Sequence, residues 1–597
     1  MSGPTGDQII LGVSFDFHNA AAAILKNGEI IAAAQEERFS RVKNDPKLPA
    51  AAIDFCLKEA GVSSCELDIV VFYETPLLKF DRILKTVLRR VPWDLKLIYG
   101  VLGDWFAKGK FSVRERLAEH LSVESSKIIF VEHHSSHAAS AFFCSPFEEA
   151  VVITLDGVGE HDTGSVWLGR GGALDKVSAS KFPNSLGLFY SAITAFLGFE
   201  VNEGEYKVMG MAPYGRPIYV DKFRALFSVD RRARLKLSQK LFNFTNPTQL
   251  PFNSRLVDWL GGARKPESDF VLGAPLSAGD ESNSDHYADI AASAQACVEE
   301  IILEVIRRAM ELTGQKNVCL AGGVALNSVA NGRVQRELDC RLYVQPEAGD
   351  AGGALGAALS EYYSHQPRVS TSPLTSPYLG SQFSEEEVLR ALKASHVSKY
   401  RKLDNEEKLI AHAATRLANG KVIGWMQGRA EWGPRALGNR SILADPRTRE
   451  TQDRVNEKIK FRELFRPFAP SVIAENAIDY FEIDESLGEA APEHFMLSVC
   501  NVREEKRGVL GATTHVDGSA RVHVVEKSNN RLFHTLIKKF GDLTGVPVLL
   551  NTSFNRRGEP VVNAPEDALK TFMWSELDLL FIGNYVIERD DSDAFEF

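Results

Sequence analysis

The chain has 597 residues, 25% of them charged, and a net charge of −10. That length makes room for about three or four structural units, which can group into two functional domains, and 44% hydrophobic residues supply each with a core. The acidic balance argues against a dedicated nucleic-acid binder, and the composition is neither disordered nor fibrous.

The seven cysteines are scattered and form no Cys-x-x-Cys pair. They read as reduced thiols of a cytosolic enzyme, not as a disulfide frame or zinc ribbon. The start, MSGPTGDQII, lacks the basic and apolar stretches of a signal peptide, and the apolar runs are strand-length. The expectation is a cytoplasmic protein with neither membrane nor nucleic-acid partner.

In chain order, Ile9–Phe15 reads as an apolar strand, and Ala20–Leu25 and Glu29–Ala34 as a hairpin around Lys26-Asn27-Gly28. Ala50–Ala60 has helical spacing and stops at Gly61. Strands follow at Ile69–Phe72, Ile128–Val131 and Val151–Leu155, with Gly164–Leu168 returning after Asp156. Tyr287–Thr313 is a long amphipathic helix ended by Gly314; strand 317–321 and a Gly-Gly turn come next. The order is that of a mixed α/β protein. The hairpins near Asp16 and Asp156 hint at duplicated halves. His365–Pro377, polar and rich in Pro, Ser and Thr, reads as a linker, which divides the chain into domains 1–364 and 378–597. Lys421–Pro470 is locally basic.

The sharpest local signal is His133-His134-Ser135-Ser136-His137 after a strand. His133 and His137, four apart, share a helix face, the spacing of two ligands to one transition metal. A capping or core histidine pair explains the motif equally well. Asp156 ends a strand and Asp350 sits in the Gly-rich turn Gly349–Gly353. Two histidines and two carboxylates would suit Fe(II), Mn or Zn and leave positions open for a phosphate; singly, each Asp is better read as a cap or turn former. Leu320–Asn327 runs from an apolar strand into Gly322-Gly323, where a ligand can approach the backbone. With the Asp-tipped hairpins, it fits an actin-like ATPase fold.

His133–Ala138, Asp156-Gly157, Gly322–Asn327 and Gly349-Asp350 resemble the universal tRNA threonylcarbamoyl-transferase family. Glu36–Lys43, Tyr206–Gly210, Gly428–Arg440, Phe465–Pro470 and Asn551–Asn555 narrow the resemblance to the NodU/CmcH-type O-carbamoyltransferases, over almost the whole chain. The resemblance implies an actin-like, metal-binding N-terminal domain that transfers a carbamoyl group to a hydroxyl. It also implies a YrdC-like C-terminal domain that makes carbamoyl-adenylate from carbamoyl phosphate and ATP, with Mg accompanying the ATP. By the match, His133, His137, Asp156 and Asp350 hold the metal, and Gly322, Gly323 and Asn327 the nucleotide. Lys43 and Lys207, placed with the N-terminal domain, are candidates for phosphate or carbonyl contacts, and Lys43 is carried as catalytic. Their other reading is ordinary surface lysine.

The C-terminal set is Arg429, Arg435, Asn439, Arg440, Arg462, Arg466, Arg521, Asn551 and Ser553; multiply anionic ligands need several guanidiniums in fixed geometry. A solvated basic face is the competing reading, strongest for Arg447, Arg449 and Arg454. His18 or Asp16 would orient or deprotonate the acceptor hydroxyl. Two departures stand out: His18-Asn19 where relatives carry His-Asp, and His523 where they tend to carry Gln. The implied partner is a small hydroxylated molecule, a secondary metabolite such as an antibiotic or a sugar, with a homodimer expected by analogy. Leu77–Lys110 is expected to shape the acceptor pocket. The competing functions are a tRNA threonylcarbamoyl-transferase and an actin-like ATPase with a chaperone or regulatory role.

Overall fold

The computed structural model describes residues 7–589 apart from 89–102, 104, 106–108, 247–248, 267, 269, 271–283, 367, 369–372, 396, 398, 485–487 and 489. Most of the second half of the Leu77–Lys110 segment and part of the expected linker therefore lie outside the described residues. The chain forms two compact units, Met1–Ala33 with Pro46–Pro373, and Ala34–Asp45 with Leu374–Phe597.

The first unit holds two five-stranded sheets with the same plan. In one, β1 (Ile9–Ser14) runs antiparallel to β2 (Ala21–Lys26) and parallel to β4 (Ile69–Phe72), which is parallel to β5 (Ile128–Phe130). With β3 (Glu29–Gln35) the order is β3-β2-β1-β4-β5. In the other, β6 (Glu149–Leu155) is antiparallel to β7 (Asp162–Arg170) and parallel to β11 (Asn317–Ala321), itself parallel to β12 (Arg341–Val344). With β8 (Ala173–Lys181) the order is β12-β11-β6-β7-β8. The hint of duplicated halves is thus a duplicated topology. β9 (Phe227–Val229) and β10 (Leu235–Leu237) make a small antiparallel pair.

β1 is buried along its whole length, as a central strand covered on both faces must be. Asn27 (φ 54°) and Gly28 (φ 82°) give the β2–β3 turn the left-handed residues a tight hairpin needs. The helix Gly352–His365 lies unusually close to its neighbours. A Cβ on Gly12 would sit 1.9 Å from the Ala354 carbonyl oxygen, and one on Gly356 would sit 1.8 Å from that of Ser136. These glycines let three backbones touch, which draws the start of this helix against the helix His133–Phe142. The long helix begins at Ser284 rather than Tyr287 and ends at Thr313, before Gly314 (φ 70°).

The second unit is built on an eight-stranded mixed sheet, β13 (Arg401–Lys402), β14 (Ile423–Met426), β15 (Arg440–Ala444), β16 (Ala469–Ile473), β19 (His523–Val525), β20 (Val548–Ser553), β21 (Leu579–Ile582) and β22 (Tyr585–Glu588). Their order is β13-β22-β21-β14-β15-β20-β16-β19, and β17 (Val499–Asn501) pairs with β18 (Ser519–Arg521) beside them. Both faces are covered. Ile423, Trp425, Leu443 and Leu549 pack with Leu409, Phe533 and Ile537 on one side. Met426, Ile442, Leu550 and Leu580 pack with Val388, Leu569 and Phe572 on the other. This is the two-residue alternation of strands buried twice.

Two expectations need correction. Residues Ala34–Asp45 belong to the second unit, although the sequence reading kept the whole N-terminal stretch in the first domain. The linker also starts later than expected: Arg368 is buried and donates to the carbonyls of Phe143, Ser145 and Phe147, so the chain stays anchored past His365. Among the described residues no helix is long and apolar enough to cross a membrane.

Candidate active sites of opposite charge

In the first unit the chemistry collects at the carboxyl ends of parallel strands, the usual ligand position in open α/β sheets. His18 follows β1, Tyr73 and Glu74 follow β4, His133 follows β5, Asp156 follows β6, Gly322-Gly323 follow β11 and Asp350 follows β12. One ligating atom from each of His133, His137, Asp156 and Asp350 falls within a 4.8 Å cluster. The His133 and His137 Nε2 atoms are 3.1 Å apart, and Asp156 Oδ2 lies 2.9 and 3.4 Å from them. Asp350 Oδ1 lies 3.7 and 3.5 Å from the same two nitrogens.

Local structure explains each position. Glu160 Oε1 accepts the His133 backbone N–H (2.9 Å) and that of Thr75 (2.8 Å), so a carboxylate caps the start of the histidine helix. Asp156 Oδ1 accepts from the amides of Gly157 and Gly323, which leaves Oδ2 for the histidines. Gly322 (φ 89°) is required there, since a Cβ would sit 2.2 Å from the Leu155 carbonyl oxygen. Asp350 is delivered by the close-packed glycine helix, and Gly352 also admits no side chain, its Cβ position being 1.9 Å from the Glu347 carbonyl oxygen.

The cluster's electrostatics are those of a cation site. Burial opposes charge on His137, but Asp156 and Asp350 outweigh it and raise its pKa to about 9. His133 is raised by the same balance. Burial would raise the carboxylates; their imidazole partners instead hold Asp156 well below its usual range, and His18, with His133 and His137, lowers Asp350. Two buried carboxylates and two imidazoles fit a first-row divalent metal. The intervening His134 is structural: its ring bonds Thr154 Oγ1 (2.7 Å) and the Asp162 carbonyl (2.9 Å), and burial lowers its pKa to about 3.

His18 Nε2 stands 3.7 Å from Asp350 Oδ2, at the edge of the cluster. Asp16 does not join it: both its oxygens accept from Arg116 Nη1, at 3.0 and 2.7 Å. Asn327 caps the helix Ser328–Glu337 and exchanges amide hydrogen bonds with Gln295, so its side chain is committed to the fold. Lys207 lies over the Phe199 ring. Met209 Sδ, two residues on, accepts from Ser328 Oγ at 3.8 Å, which brings the helix Glu205–Met211 to the start of the helix Ser328–Glu337.

The second unit holds the opposite charge. Burial, then Arg435 and Arg466, depress Arg521 well below the usual arginine range. Burial, then Arg462, Arg466 and Lys43, do the same to Lys460, with Glu559 opposing. Six cationic side chains therefore share one region, at mutual electrostatic cost, which is how a polyanion site is built. Lys460 was not expected from the sequence. Its Nζ donates to the Ser553 carbonyl (2.8 Å), Ser553 Oγ (3.2 Å), the Asn555 carbonyl (2.8 Å) and Asn555 Oδ1 (2.6 Å). Asn551 donates to the Ala436 carbonyl and Ser471 Oγ, while its buried Oδ1 accepts nothing among the described residues. Ser471 Oγ is bonded to His523 Nδ1 at 2.9 Å, and burial lowers the His523 pKa to about 3.

Three of the expected anion ligands have other roles. Arg440 is 1% exposed and donates to the carbonyls of Asn563, Gln427, Gly428, Asn439 and Ser381. Arg429 donates to those of Gly380 and Leu379, and Asn439 ties Arg429 to Asn530. The Glu431 carboxylate, also unforeseen, accepts the amides of Leu437, Asn439 and Arg440. These bonds shape the loop. Lys43 lies in this unit, not with the histidine cluster.

Comparison with known proteins agrees with two linked functional halves. Residues 9–359 match the family described as carbamoyltransferase N-terminus, and residues 414–589 the one described as carbamoyltransferase C-terminus. The chain is 43% identical over 613 residues to the uncharacterised protein sll1178 of Synechocystis sp., covering 97% of this chain and 96% of that one. It is 38% identical over 583 residues to nodulation protein NolNO of Sinorhizobium fredii, covering 96% of this chain and 79% of that one. The (R)-2-hydroxyglutaryl-CoA dehydratase component A of Acidaminococcus fermentans resembles it at 18% identity and a TM-score of 0.30, covering 60% of this chain and 98% of that one. A TM-score that low assigns nothing. The chain is a transferase and belongs to the carbamoyltransferase family.

Proposed function

We propose that this enzyme is an O-carbamoyltransferase that uses carbamoyl phosphate and ATP, with its two chemical steps divided between the two charged sites. The observation that carries the reading is the pairing, within one carbamoyltransferase chain, of a buried histidine–carboxylate cluster with a buried cationic cluster.

In the second unit, Arg435, Arg462, Arg466, Arg521 and Lys460 hold the phosphates of ATP and carbamoyl phosphate, and the Asn551 Oδ1 acceptor receives the carbamoyl N–H. One water molecule cleaves carbamoyl phosphate to carbamate and phosphate; a carbamate oxygen then attacks the α-phosphate of ATP, releasing pyrophosphate and leaving carbamoyl-adenylate. Keeping bulk water away matters here, because free carbamate decomposes. In the first unit, His133, His137, Asp156 and Asp350 hold a divalent metal: Fe(II), with Mn or Zn as the other candidates. When bound it supplies Lewis-acid stabilisation of phosphate oxygens. His18 orients and deprotonates the acceptor hydroxyl, which attacks the carbamoyl carbon and expels AMP. Gly322, Gly323 and Lys207 border the adenylate in an actin-like fold. The acceptor is a small hydroxylated molecule, a sugar or a secondary metabolite, and the reaction is cytoplasmic.

The test is phosphate, pyrophosphate and AMP release by the metal-replete protein with a panel of hydroxylated acceptors. Acceptor-dependent AMP with a carbamoylated product supports the proposal. Absence of ATP–pyrophosphate exchange, with carbamoyl phosphate present and the protein folded, sinks it.

A further inference from the structure

The segment Ala34–Asp45 leaves the first unit after Ala33, folds as part of the second, and returns at Pro46. It is fastened there by two arginines. Arg38 is buried and donates to the Gly433 carbonyl at 3.0 Å. Arg41 donates to the carbonyls of Val561 (2.7 Å) and Pro560 (2.9 Å), and its Nε lies 3.2 Å from Asp567 Oδ1. Neither attachment point is remote from the cationic cluster. Gly433 belongs to the loop wrapped around Glu431, between Arg429 and Arg435. Pro560 and Val561 directly precede Val562, whose N–H bonds back to Phe554, between the Ser553 and Asn555 that hold Lys460.

Beyond Arg41 the segment turns on itself. Arg41 (φ 59°) and Asn44 (φ 55°) are both left-handed, and the Asn44 N–H bonds Glu37 Oε2 at 2.9 Å. That closure encloses Lys43. A lysine on an untethered loop would carry full rotamer and backbone freedom; here the backbone freedom is already removed. The charge of Lys43 acts on Lys460 together with those of Arg462 and Arg466, and a phosphate among them would offset the mutual repulsion.

We propose that Ala34–Asp45 is an integral strap of the second unit's anion site, in which Lys43 binds the phosphate-bearing ligand together with Lys460 and Arg462, and Arg38 and Arg41 are positioning residues that act through Lys43. The inference rests on the reading of that cluster as the ATP and carbamoyl phosphate site. It makes a stretch that the sequence order assigns to the transferring half into part of the activating half.

The test is calorimetric titration of the full-length chain with ATP, at two salt concentrations. The variants are Lys460→Ala, Lys43→Ala, Lys43→Gln, Arg41→Ala and the double variant Lys43→Ala/Arg41→Ala, each with thermal midpoint and bound-metal content recorded. Loss of a charge-assisted contact predicts ATP binding weakened on the order of tenfold in both Lys43 variants, with a shallower salt dependence and unchanged metal content. Arg41→Ala should weaken binding too, while adding nothing in the Lys43→Ala background, as expected of two residues acting as one unit. ATP binding that is lost in Lys460→Ala but intact in both Lys43 variants overturns the strap. Additive Arg41 and Lys43 effects overturn the positioning role. No ATP binding by the wild-type chain overturns the underlying reading of the cluster and the strap with it.

Discussion

Arg440 gives the sharpest contrast between a ligand-binding arginine and a structural one. Replacing it by Met keeps roughly the volume and removes every donor. Of its five carbonyl partners, those of Asn439 and Ser381 keep a backbone donor, from Gln427 and Ala430, while those of Gln427, Gly428 and Asn563 lose the guanidinium that serves them. The site is closed to water, since the side chain is 1% exposed. At about 1 kcal/mol for each of the three orphaned acceptors, the loss is on the order of 3 kcal/mol, a large fraction of the stability of many domains, about 5–15 kcal/mol. Burial lowers the Arg440 pKa to about 10, so the group is still charged at neutral pH and the bonds are charge-assisted. Arg440→Met should therefore express poorly or show a second unit that unfolds early in urea, read by tryptophan fluorescence at the buried Trp425 and Trp432. Arg440→Lys should fall between the two, because one ammonium has three donors. The reasoning is refuted if Arg440→Met unfolds at the wild-type urea midpoint and merely raises the KM for ATP, for then the guanidinium serves a ligand.

Other perturbations separate the two sites. Asp350→Asn should lower metal affinity by more than the roughly 10–100-fold typical of losing an outer partner, abolish acceptor carbamoylation and leave ATP–pyrophosphate exchange intact; loss of both half-reactions in a folded protein contradicts the division of labour. Lys460→Ala should cut that exchange at least about tenfold, from loss of a charge-assisted contact, and leave bound metal, measured by elemental analysis, unchanged. His523 is buried with a pKa depressed to about 3, so its contribution to stability is complete above the unfolded value of about 6.5 and is lost as pH falls toward 3. Its share of the slope is about 1.4 kcal/mol per pH unit in that window. His523→Gln should flatten acid unfolding there by that amount, and an unaltered pH–stability curve would show that the histidine is not held neutral.

What could be read from the sequence follows from how local each signal is. Most strands of the two five-stranded sheets were legible as continuous apolar runs, though β8 and β12 were not, and the pairing of His133 with His137 was legible because His-x-x-x-His fixes a helix face. The second unit was harder. Lys460 ends a π-helical turn, Val455–Lys460, followed by Phe461 in the left-handed region (φ 48°). Helical periodicity of 3.6 residues cannot place a side chain after such a turn, so Lys460 passed for part of a solvated basic stretch. Arg440 erred the other way: an arginine in a basic, Gly-rich segment looks like an anion ligand until the carbonyls around it are seen. Lys43 was misplaced because sequence order, not contact, assigned it to a domain. Glu160 and Glu431 carried no signal, since a carboxylate that gathers backbone amides has no pattern of its own.

The sign of charge in each cluster constrains the order of events. With neutral imidazoles, the Asp156–Asp350 pair presents two negative charges at the ends of the parallel strands, and a phosphate brought there is repelled. Protonation of His137, favoured up to a pH of about 9, offsets part of that charge, yet the same proton occupies the Nε2 needed for metal coordination. Only a divalent cation both neutralises the carboxylates and leaves the ring nitrogens as ligands. The cationic cluster needs no such help, because guanidiniums remain charged under all working conditions. It follows that ATP should bind the second unit in metal-free protein, whereas the transfer half-reaction should require metal loading first. Product formation after adding metal to a preformed mixture of enzyme, carbamoyl phosphate, ATP and acceptor should then start from an accumulated adenylate and show a burst. A steady linear onset, equal to that of the pre-loaded enzyme, would mean that the two clusters do not work in sequence.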